Sequence, residues 1–209
     1  MATGPHAACL DRRPRKTTSA ATARPAVAEG ADLLTRLRAS DATAWEEVVE
    51  RYGSLIWAIA RAHRLDEARA ADVSQVTWLR LLEHVDEVRQ PDRLGAWLAT
   101  TARRECLRAI KLRQRDLLVG DDGEFEQGDH AGGGPGEALL DAERDAALWR
   151  AFETLRPQCQ RLLRVLLADP EPSYAEVSAA LGMPVGSIGP TRARCLDCLR
   201  RNKELHAVL

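Results

Sequence analysis

Six cations fall within the eighteen residues from Leu98 to Arg115: Arg103, Arg104, Arg108, Lys111, Arg113 and Arg115, set against the single acid Glu105. Side chains of this kind, so closely spaced, neutralise phosphates, which is the chemistry of nucleic-acid binding. A second basic set, Arg192, Arg194, Arg200 and Arg201, lies near the C-terminus. Cys195 and Cys198 form a C-x-x-C pair, and with Cys159 and His206 they have the donor types of a zinc site. Core packing of the thiols competes with that reading, and no metal or cofactor is assigned. Catalytic chemistry finds little footing. The chain has no G-x-S-x-G, Walker, H-E-x-x-H or glycine-rich dinucleotide motif, and His84 and His130 lack the partners of a general base. A binding protein is expected, not an enzyme.

These residues are positioned by helices. Trp45, Val48, Val49, Tyr52, Leu55, Ile56 and Ile59 recur at helical spacing, with Asp41 as a candidate N-cap. His63-Arg64-Leu65 interrupts the pattern, and Asp66 is placed to cap a second helix through Val73, Val76, Leu79 and Leu82. Pro91-Asp92 opens a third, long helix through Trp97, Leu98, Leu107 and Ile110 to about Arg115. Further on, an amphipathic helix spans about Leu139–Leu155, and Pro157 starts another. Ser173 and Glu176 have the S-x-x-E spacing of a capping box, and Gly182 stops that short helix. Ser187 then reads as the N-cap of a final basic helix, from about Ile188 to Arg201. Two short helices joined by a glycine-containing turn make a helix-turn-helix pattern. On a helical wheel Ile188, Thr191, Cys195, Cys198 and Leu199 form the inward stripe. Gly189, Pro190, Ala193, Arg194 and Arg200 face outward. With no alternating strand pattern, the fold class expected is all-α: two helical domains joined by a flexible acidic linker.

The whole chain has 209 residues, 45% hydrophobic and 29% charged, with a net charge of −1. That balance excludes full disorder, and no apolar run is long enough for a membrane span. Without a secretory signal, a cytoplasmic location and no membrane partner are expected. Five cysteines at this length do not suggest a disulfide scaffold. Charge is sorted along the chain. Residues 116–146 hold one base and ten acids, net −9, between basic flanks. The expected layout is a disordered tail at 1–29, a first domain at 30–115, an acidic, glycine-rich linker at 116–138 and a second domain at 139–209.

Both halves, in this order, resemble a sigma-70 family transcription initiation factor of the extracytoplasmic-function (ECF) type. Ala71-Asp72-Val73-Ser74-Gln75-Val76-Thr77-Trp78-Leu79-Arg80-Leu81 is similar to region 2.2. Residues 91–104, with Trp97-Leu98 and Ala102-Arg103, resemble regions 2.3 and 2.4. Ser173-Tyr174-Ala175-Glu176-Val177, followed by Leu181-Gly182 and Gly186-Ser187-Ile188, is similar to region 4. The departures are Ala71 in place of an acid, Arg104 in place of Asn, and small residues at Gly189, Pro190 and Ala193 where relatives carry polar side chains.

The resemblance implies that Asp72, Gln75, Leu79 and Leu82 contact core RNA polymerase, although ordinary core packing competes for the two leucines. It implies that Trp97, Arg103, Arg104, Arg108, Lys111, Arg113 and Arg115 serve the −10 element, both as duplex and as melted strand. Core anchoring competes for Trp97. It assigns the −35 element to Ser187, Thr191, Arg192, Arg194 and Arg200. An anti-sigma protein is a further candidate partner. The competing class is a helix-turn-helix regulator that acts without being a polymerase subunit.

Overall fold

The computed structural model describes residues 27–119 and 137–202, and among these it is all helical. The N-terminal half contains α1 (Val27–Arg38), α2 (Ala42–Ala62), α3 (Glu67–His84) and α4 (Leu94–Val119), with single 3-10 turns at Val85–Glu87 and Pro91–Arg93 before α4. The C-terminal half contains α5 (Glu137–Glu153), α6 (Pro157–Leu166), α7 (Tyr174–Leu181) and α8 (Val185–Arg200). Helix α1 begins before the expected domain start, and α4 runs past Arg115. Residues 120–136, which hold most of the expected linker, and nearly all of the expected tail lie outside the described residues.

Local chemistry sets several boundaries. Asp41 caps α2 by accepting from the Thr43 amide. The Arg36 guanidinium beside it, followed by the Thr43 hydroxyl and amide, holds the Asp41 carboxyl down to about 2. Asp66 caps α3 through the Arg69 amide. Arg64, at φ 60, takes the left-handed turn that separates α2 from α3. The Ser173/Glu176 capping box forms in full. Gly182 ends α7 at φ 66, a conformation that favours a residue without Cβ.

The two halves share one hydrophobic core. Ile56, Ile59, Leu81, Leu94 and Leu98 from the first half join Leu162, Val165, Val177 and Ile188 from the second. Helix α6 packs on α2, and α7 packs along α4. The α4–α7 approach is close because its edge is small: Gly95 and Ala99 stand at i and i+4, with Arg103 at i+8. A Cβ on Gly95 would sit 1.9 Å from Glu176 Oε1 and 2.8 Å from Tyr52 Cε1. At the other end of α7, the Arg103 guanidinium lies against Gly182, where the carbonyl end of the helix favours a cation. Polar contacts reinforce the joint, from the Asp169 amide to Ser54 Oγ (3.0 Å) and from Arg64 Nη2 to Gln160 Oε1 (3.3 Å).

A second, smaller core gathers Phe152, Leu155, Cys159, Leu163 and Cys195, with Trp149 and Leu199 packed against it. Within it a disulfide joins Cys159 of α6 to Cys195 of α8 across 36 sequence positions. Closing a loop of that size restricts the unfolded chain by about 4 kcal/mol. From sequence, Cys159 and Cys195 read as core thiols or zinc ligands; the structure pairs them instead. Cys106, by contrast, is a free, buried thiol pushed up to about 12 by desolvation.

His63 ends α2 inside the joint between the halves. Burial, then Arg161 and Arg103, push its pKa below 6.5, and its Nε2 is buried without a hydrogen-bond partner. The neutral ring is therefore the form that packs. Above pH 6.5 this group costs nothing. Below 6.5 the unfolded chain takes a proton that the folded chain refuses, so stability falls as the pH falls. Thermal melts should show a loss of stability between pH 7.5 and 5.5 that is smaller in His63→Leu; equal slopes in the two proteins would contradict this. Gly95→Ala gives a second test. In an unpacked helix it gains about 1 kcal/mol. Here the new methyl meets the capping Glu176 and the Tyr52 ring, and urea denaturation should report a net loss of about 1–2 kcal/mol. A gain in stability would contradict the α4–α7 contact.

Candidate nucleic-acid and protein interfaces

Helix α4 sorts its cations by direction. Arg104, Arg108, Lys111 and Arg115 recur at i, i+4, i+7 and i+11 and all are exposed, so they form one stripe about 16 Å long on the side away from the core. Arg108 also approaches Glu105 at 3.6 Å. The other two cations point elsewhere. Arg103 is half-buried against α7. Arg113 is half-buried in the groove between α3 and α4 and helps hold the Asp66 carboxyl down. Trp97 is partly buried and packs against the core, its ring 6.5 Å from that of His84.

Helix α3 presents the other face. Asp72, Gln75, Leu79 and Leu82 are all exposed, and each leucine retains 57% of its accessible surface. Core packing of these leucines is therefore overturned. The reason is helical phase: Ala70, Val73, Thr77 and Leu81 form the inward stripe, and Thr77 satisfies its hydroxyl by donating to the Val73 carbonyl at 2.7 Å. Val49 of α2, read from sequence as part of the inward stripe, is likewise 45% exposed. Beside the leucines runs a groove of about 510 Å³ with Val73, Val76, Ala109 and Leu112 along it. Its rim of Arg69, Arg80, Arg108 and Arg113 is offset by Asp72 and Glu105. Large apolar side chains left in water on one face mark an interaction surface.

Helix α8 departs most from expectation. It begins at Val185, with Pro184 as its extended N-cap. Ser187 is therefore the third helical residue and no N-cap; its hydroxyl donates to the Pro184 carbonyl at 2.7 Å and its amide to the same carbonyl at 2.9 Å. The amides that helix geometry leaves unpaired belong to Val185 and Gly186, not to Ser187 and Ile188. Pro190 is the sixth residue, well inside the helix. There its ring removes the bond to the Gly186 carbonyl and crowds that oxygen, a cost of about 3 kcal/mol. Thr191, assigned from sequence to the −35 element, is buried at 9% exposure, because it shares the inward stripe with Ile188 and Cys195. Arg194 is exposed and holds itself over the helix, donating to the Pro190 carbonyl and to Thr191 Oγ1 at 3.3 Å each. Arg192 pairs with Glu171 at 3.7 Å, and Arg200 is exposed.

The C-x-x-C reading also changes. Cys195 is oxidised with Cys159, and Cys198 is disulfide-bonded as well, so these sulfurs are not thiolate ligands. His206 and His130 lie outside the described residues. Among the described residues no cluster has the make-up of a metal site, and no helix is long and apolar enough to cross a membrane. Sequence reasoning missed two features: the α4–α7 joint and the disulfide. The small residues at Gly95, Ala99 and Ala102 were a legible signal for the first. Nothing local pairs cysteines 36 positions apart.

Comparison with known proteins agrees with this geometry. Residues 48–116, from mid-α2 through most of α4, match the family model for Sigma-70 region 2. The chain is 28% identical over 171 residues to the ECF RNA polymerase sigma factor BldN of Streptomyces coelicolor, covering 81% of this chain and 64% of the relative. It is 24% identical over 145 residues to the ECF RNA polymerase sigma factor SigE of Mycolicibacterium smegmatis, covering 69% of this chain and 55% of the relative. The chain thus spans less than two thirds of the length of these curated relatives. The fold is similar to that of CnrH, solved in complex with the cytosolic domain of CnrY, with a TM-score of 0.50 and 24% identity over 81% of this chain and 93% of that one. The segment that carries the exposed leucine face of α3 and the cation stripe of α4 thus matches Sigma-70 region 2, and the chain is similar to ECF RNA polymerase sigma factors.

Proposed function

We propose that the chain is a sigma factor: it binds core RNA polymerase and directs it to promoters. The observation that carries this reading is the division of labour within residues 48–116, where α3 exposes Leu79 and Leu82 beside Asp72 and Gln75 while α4 exposes Arg104, Arg108, Lys111 and Arg115 along one stripe. One face suits a protein surface and the other a phosphate backbone, as an adaptor between polymerase and DNA requires. The work is binding and strand capture, with no bond chemistry of the chain's own. This reading assigns to Trp97, at the start of α4, the stacking of a melted base.

The −35 element falls to α8. Arg194 is the side chain best placed for a base edge, with Arg192 and Arg200 beside it and the helix N-terminus at Val185 and Gly186 available to a phosphate. Thr191 supports Arg194 from below. An anti-sigma protein is the further partner that this reading includes, and the cytoplasm is where it operates.

Two measurements test the proposal. Leu79→Arg with Leu82→Arg should abolish co-elution with core polymerase at unchanged helical content, since both side chains are already exposed; retained co-elution would exclude the α3 face. For the DNA face, affinity for a promoter duplex should fall with salt in proportion to the phosphates neutralised. Replacing Arg104, Arg108, Lys111 and Arg115 together by Ala should flatten that slope by about 3–4, at roughly 0.9 for each contact, whereas Arg113→Ala should leave it unchanged. A slope untouched by the fourfold change would show that DNA binds elsewhere.

A further inference from the structure

We infer that Cys159 and Cys195 are a reversible thiol–disulfide pair whose oxidation state sets how firmly the second half of α8 is held. Pro190, the sixth residue of α8, breaks the hydrogen-bond ladder of that helix. Ile188, before the break, belongs to the core shared by both halves, whereas Cys195, after it, belongs to the smaller core. Among the described residues that core has five buried members, two of which are the bonded cysteines. The covalent link to α6, together with the bond at Cys198, is therefore a large part of what fixes residues 192–200, and Arg194 and Arg200 ride on this segment.

The compartment makes the bond conditional. The inference rests on the proposed function at this step: a chain that works on promoter DNA operates beside the chromosome, in a reducing environment where disulfides are transient. The two sulfurs are also unequal. Cys159 is the third residue of α6, in its first turn, at the amide end of the helix. It keeps slight exposure, whereas Cys195 is fully buried. Cys159 is thus the attacking sulfur. Its thiolate displaces one thiolate from a low-molecular-weight disulfide and forms a mixed disulfide. The Cys195 thiol then loses its proton, attacks the Cys159 sulfur and expels the second thiol. Two thiols are oxidised and one small disulfide is reduced to two thiols; a dithiol reverses the sequence. Cys106 stays out of the exchange because burial keeps it protonated.

The test uses the full chain carrying Cys198→Ser, so that the second bonded cysteine does not contribute. The chain is equilibrated in glutathione/glutathione-disulfide mixtures and alkylated, and the 159–195 linkage is read by peptide mass spectrometry. Hydrogen exchange of both forms is then followed. The expected result is a linkage that titrates reversibly, with exchange at residues 192–200 about tenfold faster after reduction and α2–α4 unchanged. Affinity of the reduced form for a promoter duplex should drop about tenfold, because a pre-organised reading helix is lost. Cys159→Ser with Cys195→Ser in the same background should behave as the reduced form in every buffer. A linkage that resists excess dithiol, or equal exchange at 192–200 in both forms, overturns the inference. Absence of DNA binding in both forms would instead overturn the proposed function, and the linkage and exchange readings would still decide the switch.

Discussion

The closeness of α7 to α4 is the constraint on which the rest of the structure depends. It requires Gly95 and Ala99 along one edge of α4, a capping carboxylate at one end of the contact and the Arg103 guanidinium at the other. With α7 seated there, Val177 and Ile188 complete the core begun by Ile56, Ile59 and Leu98. A methyl group at Gly95 meets two side chains at once, and a charge on His63 is placed among arginines from α4 and α6. Both make the joint sensitive to small changes.

Helix α4 consequently has three sides. Leu94, Leu98, Ala102 and Cys106 are buried. Gly95, Ala99 and Arg103 form the edge toward α7. Arg104, Arg108, Lys111 and Arg115 are left to water. Six cations in the sequence thus become four on one stripe, one committed to a helix C-terminus and one turned into the α3–α4 groove. The same logic governs α3, where the inward phase of Ala70, Val73, Thr77 and Leu81 forces Leu79 and Leu82 outward. The exposed faces are what remains once packing has chosen its own.

Much of this was legible in the sequence. The helices, the Asp41 and Asp66 caps, the Ser173/Glu176 box and the Gly182 stop follow from local rules that involve neighbours within a turn. What failed was of two kinds. Ser187 looked like an N-cap because Ser favours that position, but Pro184, with its fixed φ, took the role and moved the helix start by three residues. That shift put Pro190 deep in the helix. Thr191 was placed on the inward stripe and also among the DNA-binding residues, and burial chose the stripe. The second kind was non-local. The shared core and the Cys159–Cys195 bond depend on which surfaces meet across long stretches of chain.

Promoter-directed initiation by polymerase is the activity proposed for this chain. Run-off transcription with bacterial core RNA polymerase on genomic fragments tests it most directly. The predicted result is discrete transcripts with defined starts that appear only when the chain is added. Fragments bound by the chain with no transcript from core polymerase would contradict the claim and assign the helix-turn-helix to a regulator that works apart from the enzyme.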